Sequence, residues 1–144
     1  MGRIRLWLAG SGLILLACSG SNATDAGAPG PLGPGKWGGP HAGLDVTAES
    51  ATLTFDFCAS GSLTVPILLT PDGRFDVPGT YVRNVGPSIQ AKSARYVGLR
   101  RTSLLTVTVL LSDPIGPNDS DVVGPFDLVP GKDGPPTPPC PIDY

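Results

Sequence analysis

The middle of the chain alternates apolar and polar residues with the two-residue period of half-buried β-strands. Apolar residues occupy every second position from Leu53 to Phe57 and from Leu105 to Leu111. Weaker alternation runs through Leu44–Ala48 and Pro125–Val129. No segment of residues 43–130 shows the 3.6-residue apolar period of an amphipathic helix, so the pattern predicts strands throughout this region.

Turn-forming residues separate the alternating runs. They are Ala48–Ser50, Ala59–Gly61, Pro71–Gly73, Pro78–Gly79, Gly86–Pro87 and Asp113–Pro117. Short connections between strands require antiparallel pairing. The sequence therefore predicts an all-β domain of seven to eight short antiparallel strands, arranged as a small barrel or a sandwich. Residues 43–130 suffice for one modest core.

Two Gly/Pro-rich tracts flank this predicted domain. Residues 18–42 are rich in Gly, Pro, Ala and Ser, and residues 131–144 form a Pro-rich tail that contains Cys140. Such tracts bury too little apolar surface to fold alone. We interpret the first tract as a tether and the second as a stiff tail that brings Cys140 to its partner.

The first seventeen residues have the order of a secretory signal. Arg3 and Arg5 precede an apolar run of about 12 residues, which is shorter than the roughly 20 that span a bilayer as a helix. Leu15–Cys18 resembles a bacterial lipobox, which implies removal of residues 1–17 and a diacylglycerol on the Cys18 thiol. In Gram-negative cells, the same resemblance implies that Ser19 permits transfer to the outer membrane. Ordinary secretion, with cleavage after Ala23, is the alternative.

The three cysteines are consistent with one disulfide in an oxidising compartment. If Cys18 is acylated or removed, Cys58 and Cys140 remain as a pair. Their bridge would close a loop of about 80 residues and stabilise the domain by on the order of 4 kcal/mol. Two free thiols are the alternative. A zinc site is disfavoured because His41 is the only histidine.

Charge and motifs exclude several functions. From Cys18 onward the chain carries eight Lys or Arg and twelve Asp or Glu, with no basic stripe of the kind that nucleic-acid-binding proteins show. Neither a hydrolase Gly-x-Ser-x-Gly motif nor a cofactor motif occurs in the domain. Asp113, Asp119 and Asp121 share one loop, but their spacing favours a turn over a calcium site. We therefore predict no catalytic residue, metal or cofactor.

Three residues are candidate contacts with a partner. Trp37 is the only tryptophan of the mature chain, and aromatic residues are enriched at binding hot spots. Alternatively, Trp37 pins the tether to the sheet. Arg100 and Arg101 form the only adjacent basic pair after the signal and are expected at a hairpin tip.

Several short motifs, in order, resemble small β-rich exported bacterial proteins and lipoproteins of uncharacterised function. The likeness runs from Trp37 to Cys140 and includes a cysteine after an early strand and another near the C-terminus. Those proteins often have a histidine two residues after the first cysteine, where this chain has Ser60. The resemblance implies no activity. Its motifs are Trp37–Gly39, Phe57–Ala59, Asp72–Phe75, Pro78–Val82, Gly86–Pro87, Ala94–Tyr96, Thr106–Thr108 and Gly124–Phe126.

The sequence thus favours a non-enzymatic envelope lipoprotein that serves as a structural or interaction module. Its expected partners are a membrane, through the lipid anchor, and an unknown protein. The main alternative is a carrier of a small hydrophobic ligand with a lipocalin-like barrel. The volume of the core side chains distinguishes the two hypotheses, because a carrier needs an interior that its own side chains do not fill. A secreted inhibitor that uses the Arg100 hairpin is a third hypothesis.

Overall fold

The computed structural model describes residues 28–85, 88–113 and 120–136, and these residues form an all-β fold. Eight strands form a closed barrel in which all neighbours are antiparallel, and two short strands pair beside it. The prediction of an all-β antiparallel fold is confirmed, with the barrel rather than the sandwich. The strands are β1 Gly30–Pro31, β2 Gly35–Gly38, β3 Ala42–Val46, β4 Ala51–Phe55, β5 Ala59–Leu63, β6 Leu68–Leu69, β7 Arg74–Val85, β8 Ser88–Arg101, β9 Leu104–Leu111 and β10 Val122–Pro130.

The barrel is an up-and-down meander. Its strand order is β2-β3-β4-β5-β7-β8-β9-β10, and β10 returns to pair with β2. Such closure removes the free edges that an open sheet would expose. The β7–β8 hairpin is longer than the barrel, because β8 pairs with β9 only from Ala94 onward.

Aromatic side chains fill the barrel interior where glycines face them. Tyr96 is fully buried, and its hydroxyl donates a hydrogen bond to the Thr80 carbonyl at 2.8 Å. A Cβ at Gly61 or Gly79 would collide with the Tyr96 side chain, and a Cβ at Gly98 would collide with the Phe75 ring. Burial raises the pKa of the Tyr96 phenol well above its usual value. The interior is therefore a packed core of large and small residues.

The two ends of the barrel differ. The closed end lies where β7 begins and β8 finishes, and the β1–β6 pair contributes buried Leu32, Ile67 and Leu69 there. The opposite end, the mouth, is where β4 finishes and β10 begins. The closed end thus has an extra covering layer, whereas in the described ranges the mouth is surrounded by loops and the β7–β8 hairpin.

The barrel begins earlier than the sequence predicted. We expected a tether through residue 42, yet Gly35–Gly38 is a barrel strand and Gly30–Pro31 pairs with β6. Trp37 faces inward and is 6% exposed, which supplies the core contact of an otherwise glycine-rich strand. The sequence pattern did not predict this strand, because short Gly-rich strands show little apolar alternation.

Residues 131–136 form a strap across the outside of β2 and β3. The Gly131 N–H donates to the Lys36 carbonyl at 2.7 Å, and Lys36 Nζ donates to the Asp133 carboxylate at 2.7 Å. That carboxylate raises the pKa of Lys36. A Cβ at Gly43 would lie 2.6 Å from the Gly134 Cα, so glycine permits the close crossing. The predicted tail thus begins as part of the domain.

Several predictions fall outside the described residues. They concern the signal 1–17, the lipidated Cys18, the disulfide cysteine Cys140 and most of the loop with Asp119. In the described ranges, no helix has the length and apolarity needed to cross a membrane.

Candidate functional site

Four aromatic rings cluster at the mouth. The fully buried Phe55 ring lies 5.3 Å from the Phe57 ring, 5.3 Å from the Phe126 ring and 5.8 Å from the Tyr81 ring, measured between centroids. Phe57 and Phe126 are 6.4 Å apart and nearly parallel, at 25°. These separations fall in the range in which aromatic pairs attract beyond their area burial. Phe57 is nevertheless 38% exposed, so the cluster presents an aromatic surface to solvent.

The β4–β5 turn holds Phe57 in this position. Cys58 has a positive φ of 56°, which reverses the chain within three residues. The Asp56 N–H donates to the His41 carbonyl at 3.2 Å, and the Asn84 N–H donates to the Cys58 carbonyl at 3.0 Å. Neighbouring segments therefore fix the turn on both sides, and the Phe57 ring sits on a supported loop.

A bulge in β10 places Phe126. Val123 pairs with Val109, and Phe126 pairs with Val107, so two residues of β10 face one residue of β9. This extra residue is the definition of a β-bulge, which re-aims the side chains that follow. Gly124 within the bulge has φ of +105°, a conformation that L side chains rarely adopt. The Phe126 ring is consequently turned toward Phe55.

The aromatic cluster borders a cavity of about 340 Å³ at the mouth. This volume is at the lower end of small-molecule sites. The lining is mostly apolar and includes one arginine and one serine. The lining residues are Phe57, Tyr81, Arg83, Leu111, Ser120, Val122, Val123, Gly124 and Phe126.

A His–Asp pair lies beside the mouth. His41 Nδ1 is 2.6 Å from an Asp56 carboxylate oxygen, and the His41 side chain is 66% exposed. The sequence pattern does not reveal this pair, because the two residues are 15 positions apart. The contact fastens the β2–β3 loop to the β4–β5 turn. Among the described residues, no group of three His, Cys, Asp or Glu is arranged to hold a metal ion.

The predicted contact residues lie at the other end of the barrel, and the structure brings two of them together. The Arg100 guanidinium lies over the Trp37 ring at 5.5 Å from its centroid. Trp37 is buried and offers little surface to a partner. Arg101 is exposed, next to the Thr102–Ser103 turn, as expected for a hairpin tip.

A wider groove runs along the outside of the barrel, over β7, β8 and β9. Its volume is about 620 Å³, and Leu68 of β6 forms one side near the closed end. Val97 and Leu99 contribute apolar surface, and Arg74 and Asp76 line it with charge. Asp72 binds the Arg74 side chain at 2.9 Å, so part of this charge is already neutralised.

Comparison with known proteins leaves the site to be interpreted from its own geometry. No protein-family model matches the chain, and neither the curated proteins nor the solved structures contain a match.

Proposed function

We propose that this protein is an exported, lipid-anchored module of the bacterial cell envelope that works by non-enzymatic contact with a partner at the aromatic mouth. The observation that carries the proposal is the exposed Phe57 ring, stacked on a buried aromatic cluster. Aromatic residues, phenylalanine among them, are enriched at protein–protein interfaces. The packed interior supports a role at the surface rather than inside the barrel.

The anchor is the part of the proposal that depends on Cys18. The support is the order of basic residues, apolar run and lipobox before it. A Cys18→Ser variant should move from the membrane fraction to the soluble fraction of a bacterial host. The intact mass of the wild-type protein should include a diacylglycerol. An unmodified, soluble wild-type protein would refute the anchor.

We also propose a disulfide between Cys58 and Cys140. The strap supports it, because its residues line one concavity with Gly43 of β3 and Thr54 of β4 and so run toward the β4–β5 turn that holds Cys58. Cys140 lies four residues after Pro136, and at roughly 3.3 Å per residue this segment can span up to about 13 Å. Peptide mapping without reduction should recover the two cysteines in one linked fragment, whereas two alkylated thiols would contradict the bridge.

The second candidate is a carrier of a small hydrophobic ligand. The mouth cavity favours it, since a cavity of about 340 Å³ can hold a compact molecule. The packed interior weighs against a lipocalin-like central cavity. Native mass spectrometry of the purified full chain separates the candidates. A bound small molecule that is lost in Phe57→Ala but kept in the control Leu68→Ala, which lies at the closed end of the barrel, would favour the carrier.

A further inference from the structure

The described chain begins at the closed end of the barrel. Gly30 pairs with Leu69, and the Leu32 N–H donates to the Ile67 carbonyl at 2.8 Å. Any segment upstream of Ala28 therefore leaves from this end. Cys18 lies ten residues before Ala28, and at roughly 3.6 Å per residue this length reaches at most about 36 Å. A lipid on Cys18 would keep the closed end close to its membrane.

Exposed apolar side chains lie at the same end. Leu68 is 58% exposed, Val65 is 40% exposed and Leu104 is 37% exposed. Val65 and Leu68 belong to the segment that connects β5 to β7, and Leu104 begins β9 directly after the hairpin turn. Together they give the closed end an apolar rim.

Basic residues accompany this rim. Arg100 and Arg101 finish β8, and the turn that follows leads to Leu104. The Arg100 Nε is buried without a hydrogen-bond partner in the described part of the chain. Two of the acids at this end are engaged in ion pairs, since Asp72 binds Arg74 and Asp133 binds Lys36. The arginine pair thus adds positive charge to an apolar surface.

We propose that the closed end is a membrane-seating face, which rests on the same bilayer that holds the Cys18 lipid. Val65, Leu68 and Leu104 lie among the headgroups, and Arg101, the exposed member of the arginine pair, binds phospholipid phosphates. Apolar residues with adjacent basic residues are the combination that binds anionic membrane surfaces. This inference rests on the proposed lipid anchor. In this orientation the aromatic mouth points away from the membrane, toward a partner.

Photo-crosslinking in cells tests the orientation. In one full-length variant, a benzophenone amino acid replaces Leu68. In a second variant it replaces Ile89, which is 75% exposed and lies on the β7–β8 hairpin at the mouth end. We expect at least five-fold more phospholipid adduct from position 68. Equal or reversed yields, from protein whose intact mass includes the diacylglycerol, would overturn the seating face and leave the anchor intact. An intact mass without the lipid would overturn both.

Charge variants test the arginine contribution. In vesicles of phosphatidylglycerol and phosphatidylethanolamine, Arg101→Gln should lower the adduct yield at position 68 by three-fold or more. Lys92→Gln, which removes one charge from the β7–β8 hairpin at the other end, is the matched control and should leave the yield unchanged. Equal effects of the two variants would contradict phosphate binding by the closed end.

Discussion

Gly61 provides the sharpest test of the packed interior. An alanine there would place its Cβ against the Tyr96 hydroxyl, 2.8 Å from Cζ and 3.1 Å from Cε1 of that ring. Overpacking of a core costs about 1–3 kcal/mol. Displacement of Tyr96 would also weaken the hydrogen bond from its hydroxyl to the Thr80 carbonyl, which contributes about 1 kcal/mol. We expect Gly61→Ala to lower the free energy of unfolding by about 2–3 kcal/mol.

Urea unfolding followed by circular dichroism would measure this loss. The matched control is Gly33→Ala, because a Cβ at Gly33 meets nothing within 4 Å. It should be neutral, or stabilise by a few tenths of a kcal/mol through lower entropy of the unfolded chain. In a Tyr96→Phe background, Gly61→Ala should cost about 1 kcal/mol less, because the nearest clashing atom is gone. If Gly61→Ala matched Gly33→Ala in stability, the close packing around Tyr96 would be refuted.

Three further predictions follow from the core and the strap. Because burial raises the pKa of the Tyr96 phenol, the folded state keeps a proton that the unfolded chain loses above about pH 10. Stability should therefore fall as pH rises from there, by up to about 1.4 kcal/mol per pH unit, and Tyr96→Phe should flatten that slope in urea titrations. Leu128→Ala, at a fully buried position of β10, should cost about 2–5 kcal/mol by thermal unfolding, and a loss under 1 kcal/mol would contradict its burial. Gly43→Val should displace the strap and speed proteolysis after Lys132, whereas Gly33→Val should not.

Strong alternation made part of the fold predictable from the sequence. From Leu105 to Leu111 every second side chain is buried in β9, as the pattern indicated. Leu53 and Phe55 likewise face the core. These strands could be recognised because one face is buried and the other is solvated, which imposes the two-residue period.

Glycine and proline misled the sequence analysis elsewhere. We predicted turns at Ala59–Gly61 and at Pro78–Gly79, but these residues lie inside β5 and β7. Gly61 and Gly79 make room for Tyr96 rather than for a turn. Pro78 is tolerated because the pairing of β7 with β5 ends at Thr80, so the missing N–H falls where β5 provides no partner. Local sequence cannot distinguish a glycine needed for packing from one needed for a turn.

The candidate site was harder to predict than the fold. Phe57 continued the alternation of Leu53 and Phe55 and was expected in the core, yet it lies in the turn after β4 and is partly exposed. Phe126 reaches the cluster only through the β10 bulge. Phe57 and Phe126 are far apart in the sequence, so alternation alone could not predict that their rings lie side by side. Trp37 and Arg100 were singled out separately, and only the folded chain shows that they stack.

The seam between the first and last barrel strands has a kinetic consequence. β10 meets β2 only at Val129–Gly38 and Pro130–Trp37, whereas the β7–β8 hairpin is paired along its whole length. Every other barrel pair joins strands that are consecutive in the barrel's meander. The β10–β2 pair can form only when the first and last barrel strands come together, and closing so long a loop has a large entropic cost. We expect the seam to close last in folding and to open first in native fluctuations. The amide protons of β2 should then exchange with solvent faster than those of β8. The strap crosses β2 and β3 next to the seam, so it should slow the opening of the seam.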